Sequence, residues 1–321
     1  MNRTTYKRKS KKASIIRSKF SLLLIITAVI LSVKYIGDLT NKNISQETNA
    51  NNSKVNLNKL KYSNIGDNTE SIVSSNNKDT DIIPGSNIIY AAEEYAIPAE
   101  KVFQITNDGK RIDENKYVFL TFDDGPSTNT ESVLDILKEK GVHATFFVLG
   151  DSISKTSNSD EILKRCIAEG HAIGNHTYSH RLDILYPNNS INIDNYAAEF
   201  NKTNDLLKSI LGNDFNSKVI RMPGGYNSRQ YYNDPNLPVF DKYMSDNGIV
   251  SIDWNALNGD AEGKDYSVSE MLDYVKQTSE GKKQIVLLMH DTYGKEKTVK
   301  VLPNIIDYYK NNGYEFKVIK S

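Results

Sequence analysis

The sequence predicts an α/β fold built on a parallel sheet, either open and doubly wound or closed as a barrel. Two observations carry this, and a third bounds the function. Strand-like and helix-like segments alternate for about 200 residues. Most of the strand-like segments are unbroken apolar runs rather than alternating ones, which fits burial on both faces. No glycine-rich phosphate loop joins a strand to a helix, which argues against a nucleotide site.

The elements follow in order. Order is expected from Ile88. The stretch "KVFQIT" (101–106) reads as a strand, and Asn107-Asp108-Gly109 as a turn. "YVFLTF" (117–122) is a buried strand, and "ESVLDILKEK" (131–140) a helix ended by Gly141. "ATFFVLG" is the next strand, 160–169 the next helix, and "HAIGNH" (171–176) a short strand or turn. A long helix is expected over 194–211, with Tyr196, Phe200, Leu206, Leu207 and Ile210 on its apolar side. Strand "KVIRM", a Tyr-rich loop and a helix near 239–247 follow, then strand "GIVSID" and helix 267–279. Strand "QIVLLMH", helix 298–311 and a last strand "YEFKVI" complete the chain.

Ahead of this region the composition changes. Residues 1–19 hold eight Lys or Arg and no acid, followed by an uncharged apolar run over 20–33. A basic tail (1–19) retained in the cytoplasm and a signal anchor over 20–37 are expected, with secretion after cleavage as the alternative. An Asn/Ser/Lys-rich disordered linker is expected over 38–87, and an extracellular domain over 88–321, its motif-bearing core at 116–320. Outside the basic tail, 32 basic residues face 40 acidic ones, net −8, which argues against nucleic acid as a partner. Cys166 is the only cysteine, so no intrachain disulfide forms, and its helical setting marks it as a core residue.

Reactive residue types gather at the C-terminal ends of the expected strands: Asp123 and Asp124, His176 and His180, Arg221 with a Pro-Gly-Gly turn, Asp253 and Trp254, His290 and Asp291. In a parallel barrel these ends converge on one face, where active sites lie. "HTYSH" (176–180) spaces two imidazoles four apart, so on a helix they share a face and chelate one metal. One carboxylate completes a two-histidine, one-aspartate set with an open position for water, the pattern of a catalytic zinc site. One of the adjacent aspartates then binds the metal and the other takes a proton. His290 is the candidate acid for the leaving group, Arg221 a fork for the base carboxylate, and the Pro-Gly-Gly backbone an oxyanion donor.

Together "TFDDGPS", "HTYSH", "RMPGG", "SIDWN" and "LLMHD" resemble, in order and spacing, the motif set of the polysaccharide deacetylases, carbohydrate esterase family four, over roughly residues 101–320. The resemblance implies a distorted parallel (β/α) barrel of about seven strands that removes acetyl groups from N-acetylated sugars in polymers. It implies Asp124, His176 and His180 as ligands of one divalent metal ion, usually zinc. Asp123 would be the general base, His290 the general acid, Arg221 the residue orienting Asp123, and the Gly224 N–H an oxyanion donor. Many members carry an Asp-Trp pair after the fourth motif, whose Asp tunes the acid histidine. Here the pair reads as Asp260 followed by Ala261, with Asp253-Trp254 as the second alignment and Trp254 then lining the site. Tyr178, Tyr226, Tyr231, Tyr232 and Tyr293 are candidates to stack on sugars. The expected activity is N-deacetylation of N-acetylglucosamine in a cell-wall glycan, peptidoglycan first, by attack of a metal-activated water on the acetamide carbonyl. The alternatives are an O-acetyl esterase on xylan or wall sugars, and a non-catalytic wall-glycan-binding protein.

Overall fold

A computed structural model describes residues 79–321. The expected basic tail, signal anchor and linker up to residue 78 lie outside the described residues. Among the described residues no helix is long and apolar enough to cross a membrane.

In chain order the elements are β1 (Ala96–Pro98), α1 (Ala99–Asn107), β2 (Tyr117–Asp123), α2 (Thr128–Lys140), β3 (Thr145–Val148), α3 (Gly150–Lys155) and α4 (Ser159–Ala168). Then come β4 (Ala172–Asn175), α5 (Leu182–Leu185), α6 (Ile193–Leu211), β5 (Val219–Ile220), α7 (Tyr226–Tyr231) and α8 (Leu237–Asn247). The remainder is β6 (Val250–Ser251), β7 (Ala256–Leu257), α9 (Val268–Ser279), β8 (Gln284–His290), α10 (Glu296–Asn311), β9 (Glu315–Phe316) and β10 (Val318–Lys320).

Seven strands run in the order β6-β5-β4-β3-β2-β8-β7, every neighbouring pair parallel, with β9 added beside the start of β2. The edge strands β6 and β7 are consecutive in sequence and do not pair, so the sheet curls into an open barrel. The apolar runs are buried as the sequence implies: all seven residues of β2 are buried, and six of the seven in β8. Gly141 ends α2 in the left-handed region at φ 60°, and Ser127 starts it with a capping box closed by Thr130. Cys166 is buried in α4.

Three expectations fail for physical reasons. "KVFQIT" is helix α1, not a strand: Ala99, Val102 and Ile105 bury one face at helical spacing, and a short apolar run does not by itself separate the two periods. "YEFKVI" is two strands: Glu315–Phe316 pairs with β2, whereas Val318–Lys320 leaves that sheet to pair with β1. The linker is not free up to residue 87. Ser86 and Asn87 are buried, the Gly85 N–H donates to the Asp214 carbonyl at 2.7 Å, and Asn87 Nδ2 donates to the Ile319 carbonyl at 3.0 Å.

At the opposite end of β4 from the reactive residues sits a buried histidine. His171 accepts the Ala144 N–H on Nδ1 at 3.2 Å, and its Nε2 has no partner. Burial, with smaller contributions from His143 and Arg165, pulls its pKa from 6.5 to about 3. The unfolded chain therefore binds this proton first. The stabilisation is complete above the unfolded value of 6.5 and is lost as pH falls toward about 3. By about pH 5 the loss is about 2 kcal/mol. An Asn at this position keeps an acceptor for Ala144 but does not titrate. Denaturant unfolding of His171→Asn should fall less steeply between neutral pH and about pH 5 than that of wild type; equal slopes would show that His171 is not held neutral.

Candidate active site and metal centre

The β2 strand delivers Asp123 as its last residue, and the chain then turns sharply through Asp124, which sits at φ 72°. That left-handed backbone is disfavoured for a residue with a Cβ, and the surroundings hold it. The Asp124 N–H donates to the Phe147 carbonyl at 3.2 Å, and Ser152 Oγ donates to the Asp124 carbonyl at 2.9 Å. Gly125 is required by space: a Cβ there would lie 2.5 Å from the Asp291 carboxylate.

Asp123 is 3% exposed and Arg221, on the loop after β5, is 0% exposed. Arg221 Nη1 donates to Asp123 Oδ1 at 2.8 Å and to Thr121 Oγ1 at 2.7 Å. Its Nε donates to the Ile252 carbonyl at 2.9 Å, and the guanidinium lies over the Phe147 ring at 4.2 Å. Thr121 is two residues before Asp123 and so on the same strand face. It stands inside an apolar run, where the alternation of strand faces is the signal that ties it to Asp123.

"HTYSH" is not a helix. His176 follows β4 directly, and the next residues form a turn with Thr177 at φ 70° and His180 at φ 56°. The turn still brings the two imidazoles together, with ring centroids 5.0 Å apart. His176 Nε2 lies 3.4 Å and His180 Nε2 3.9 Å from Asp124 Oδ1. His176 Nδ1 is 2.7 Å from the Arg221 carbonyl, so that nitrogen carries the proton and Nε2 presents its lone pair. Burial and the neighbouring His176 hold the His180 pKa below its usual value despite the opposing charges of Asp124 and Asp123, which leaves it neutral and able to ligate. Asp124 Oδ1 is buried without a hydrogen-bond partner. An orphaned carboxylate oxygen facing two imidazole lone pairs, all three ligand atoms within 4.8 Å of one another, fits a divalent cation of the zinc type.

His290 ends β8 directly beside Asp123, to which it is paired across the β2–β8 ladder. Its Nδ1 is 2.8 Å from Asp260 Oδ1, and its N–H donates to Asp260 Oδ2 at 2.8 Å. Thr298 and Asn258, both absent from the sequence reading, also donate to Asp260 Oδ2, at 2.7 and 3.2 Å. Burial pulls the His290 pKa down, but the hydrogen bond and charge of Asp260, with Asp123 and Asp124 beyond, push it up to about 9. Asp253 does something else: its carboxylate accepts the N–H groups of Tyr226 and Asn227, both at 2.7 Å, at the start of α7. Asp260 is thus the carboxylate on His290, and the second alignment is set aside. Trp254 nevertheless stays close, 5.7 Å from the Arg221 guanidinium and against Gly225.

Gly224 is exposed at the turn after Arg221, at φ 80°. Tyr226 is not brought to the cluster. Its ring packs edge-on against Phe103 in the core, its hydroxyl donates to Asp241 at 3.0 Å, and it lines a cavity of about 410 Å³ that contains no cluster residue. Tyr178 is covered by the Lys202 ammonium at 3.4 Å. Tyr231, Tyr232 and Tyr293 are open to solvent, 80, 53 and 60% exposed.

The family model described as polysaccharide deacetylase matches residues 110–236. The chain is 31% identical over 232 residues to a peptidoglycan-N-acetylglucosamine deacetylase of Bacillus cereus, covering 71% of this chain and 77% of that one. It is 30% identical over 213 residues to a bifunctional xylanase/deacetylase of Pseudobutyrivibrio xylanivorans, covering 66% of this chain but only 31% of that protein. Among solved structures, a CE4 esterase of Streptococcus mutans aligns with 40% identity and a TM-score of 0.68, over 75% of this chain and 99% of that one.

Proposed function

Because this chain belongs to the polysaccharide deacetylases, a family of hydrolases, we propose that it removes N-acetyl groups from N-acetylglucosamine in peptidoglycan, with a divalent cation, zinc by its donor set, held by Asp124, His176 and His180. The observation that carries this is the side-by-side placement of a buried Asp123–Arg221 pair and a His290–Asp260 pair beside a three-ligand cluster. The cation supplies Lewis acidity when bound, polarising the acetyl carbonyl and acidifying water. The chain's own groups do the rest. Arg221 occupies Oδ1 of Asp123, so Oδ2, 3.8 Å from His176 Nε2, is left to accept the proton of the attacking water. The Gly224 N–H receives the negative charge that develops on the carbonyl oxygen. His290, its Nδ1 proton committed to Asp260, donates from Nε2 to the departing amine as the carbon–nitrogen bond breaks. The products are acetate and a free amino sugar.

The peptidoglycan assignment is supported by the Bacillus cereus relative. Similarity to a xylanase/deacetylase supports a second reading, an O-acetyl esterase on xylan. Acetate release should be measured in parallel on peptidoglycan, N-acetylglucosamine oligomers and acetylated xylan, with and without a chelator. Release from the amide substrates that stops with chelator is expected; release from xylan alone would reverse the order of the two readings, and glycan binding without release would favour a non-catalytic binder. The basic segment 1–19 and the uncharged run 20–33 support an extracellular domain on an N-terminal anchor. Protease accessibility on intact cells tests that placement.

Asp260 predicts the shape of the pH profile. Activity needs His290 protonated, so the rate falls as pH rises through its pKa of about 9. Without the Asp260 charge, burial acts unopposed by its main counterweight. The alkaline limb of kcat/KM for Asp260→Asn should therefore move from about 9 toward 6.5. An unmoved limb would remove His290 as the acid.

A further inference from the structure

The turn that carries both histidine ligands is held from one side by a single face of α6. Glu199 Oε2 accepts three hydrogen bonds from it: the Tyr178 N–H at 3.0 Å, the Ser179 N–H at 2.6 Å and the Ser179 hydroxyl at 2.9 Å. One helical turn on, Thr203 Oγ1 donates to the Thr177 carbonyl at 2.9 Å, and Lys202 lies over the Tyr178 ring. Positions 199, 202 and 203 are neighbours on a helix surface, so these grips come from one side. From α3 the turn receives two backbone donors, Gly150 N–H to the Thr177 carbonyl and Asp151 N–H to the Tyr178 carbonyl, and one side-chain contact, Ser154 Oγ to the Tyr178 hydroxyl at 3.1 Å, which leaves the N–H groups of Tyr178 and Ser179 to Glu199.

Thr177 and His180 both have left-handed backbone, which is uncommon outside glycine and a genuine outlier for the β-branched Thr177. Left to itself the turn would sample other conformations, and the spacing of the two imidazoles would vary with them. A carboxylate that gathers the two N–H groups between the histidines opposes that.

We propose that Glu199 is a positioning residue for the metal centre: by clamping Tyr178 and Ser179 it fixes the reach between His176 and His180 and so sets the affinity for the cation. This rests on the metal reading above. The physical reason is preorganisation: ligands ordered in advance do not have to be ordered by the ion.

The full-length protein, freed of metal, would be titrated with cobalt(II) by visible absorption and with zinc(II) against a chromogenic chelator. Glu199→Gln places an amide N–H among three donors and should weaken both affinities by about 10- to 100-fold. Ser179→Ala, which removes one donor from the other partner, should weaken them less, and the two changes combined should cost less than their separate effects. Thermal unfolding of the metal-free variants separates a local role from a global one. A Glu199→Gln protein that binds cobalt as tightly as wild type overturns the proposal. So does a loss of affinity that merely tracks unfolding of the metal-free chain. If wild type takes up no cobalt or zinc, the metal reading itself falls; if wild type binds and the variant matches it, only the role of Glu199 falls.

Discussion

Replacing Asp123 with Asn is expected to lower kcat by about 10²–10⁴-fold while leaving metal content unchanged. The side chain is isosteric, and its amide oxygen can still accept from Arg221 Nη1, now 2.8 Å from Oδ1. The candidate ligand atoms sit on Asp124, His176 and His180, and the exchange changes only their neighbour Asp123, whose Oδ2 is 3.8 Å from His176 Nε2. What the amide cannot do is accept a proton from water at the Oδ2 position. Rate and metal stoichiometry should therefore separate: kcat collapses, and metal per chain by elemental analysis stays level. A variant that keeps most of its rate would show that another group is the base. A variant that loses its metal would place Asp123 among the ligands. Asp124→Asn provides the contrast, because there metal affinity should fall first.

Much of this site was legible because parallel-strand topology converts sequence order into spatial convergence. An apolar run followed by Asp-Asp, or by His-Asp, already says that charged groups stand at a strand's end, and a curled sheet brings such ends together. The Asp123–His290 pairing across β2 and β8 is that rule made concrete. The candidate ligands His176 and His180 converge by a route other than the expected one. Helical spacing was invoked for His176 and His180, yet a turn with two left-handed residues joins them. Four-residue spacing is compatible with both geometries, and only the partners of the turn decide between them.

Illegible features share another cause: they depend on contacts distant in sequence. Glu199 lies 20 residues from Ser179 on a helix whose apolar side drew attention, so nothing local marked its carboxylate as a clamp. Thr298 reaches Asp260 across 38 residues. Tyr226 is one of five tyrosines expected as candidates to stack on sugars, but the first turn of α7 directs its ring toward Phe103 instead. "KVFQIT" failed differently. Six residues are too few for periodicity to discriminate, and the choice of helix is made by packing of Val102 and Ile105 in the core.

The buried ion pair allows a stability prediction as large as the kinetic one. Arg221→Met should destabilise the domain by about 3–5 kcal/mol. Arg221 is among the largest fully buried side chains, and the loss of its guanidinium removes four hydrogen bonds at once. It leaves the Ile252 and Asp253 carbonyls without that donor and, above all, the Asp123 carboxylate buried with no cation against it. Methionine fills much of the volume over Phe147, so the deficit is mainly electrostatic rather than a cavity. The double variant separates the stranded charge from the lost packing. Arg221→Met combined with Asp123→Asn removes the stranded charge along with its partner, so it should be more stable than Arg221→Met alone by about 1 kcal/mol or more. Denaturant unfolding of the two single variants and the double one, all metal-free, measures the cycle. Strict additivity would mean that the arginine acts through its carbonyl bonds and packing alone. A positive coupling would mean that its charge is what allows a carboxylate base to exist in this interior, and then the same residue accounts for both the stability of the barrel mouth and the proton transfer that occurs there.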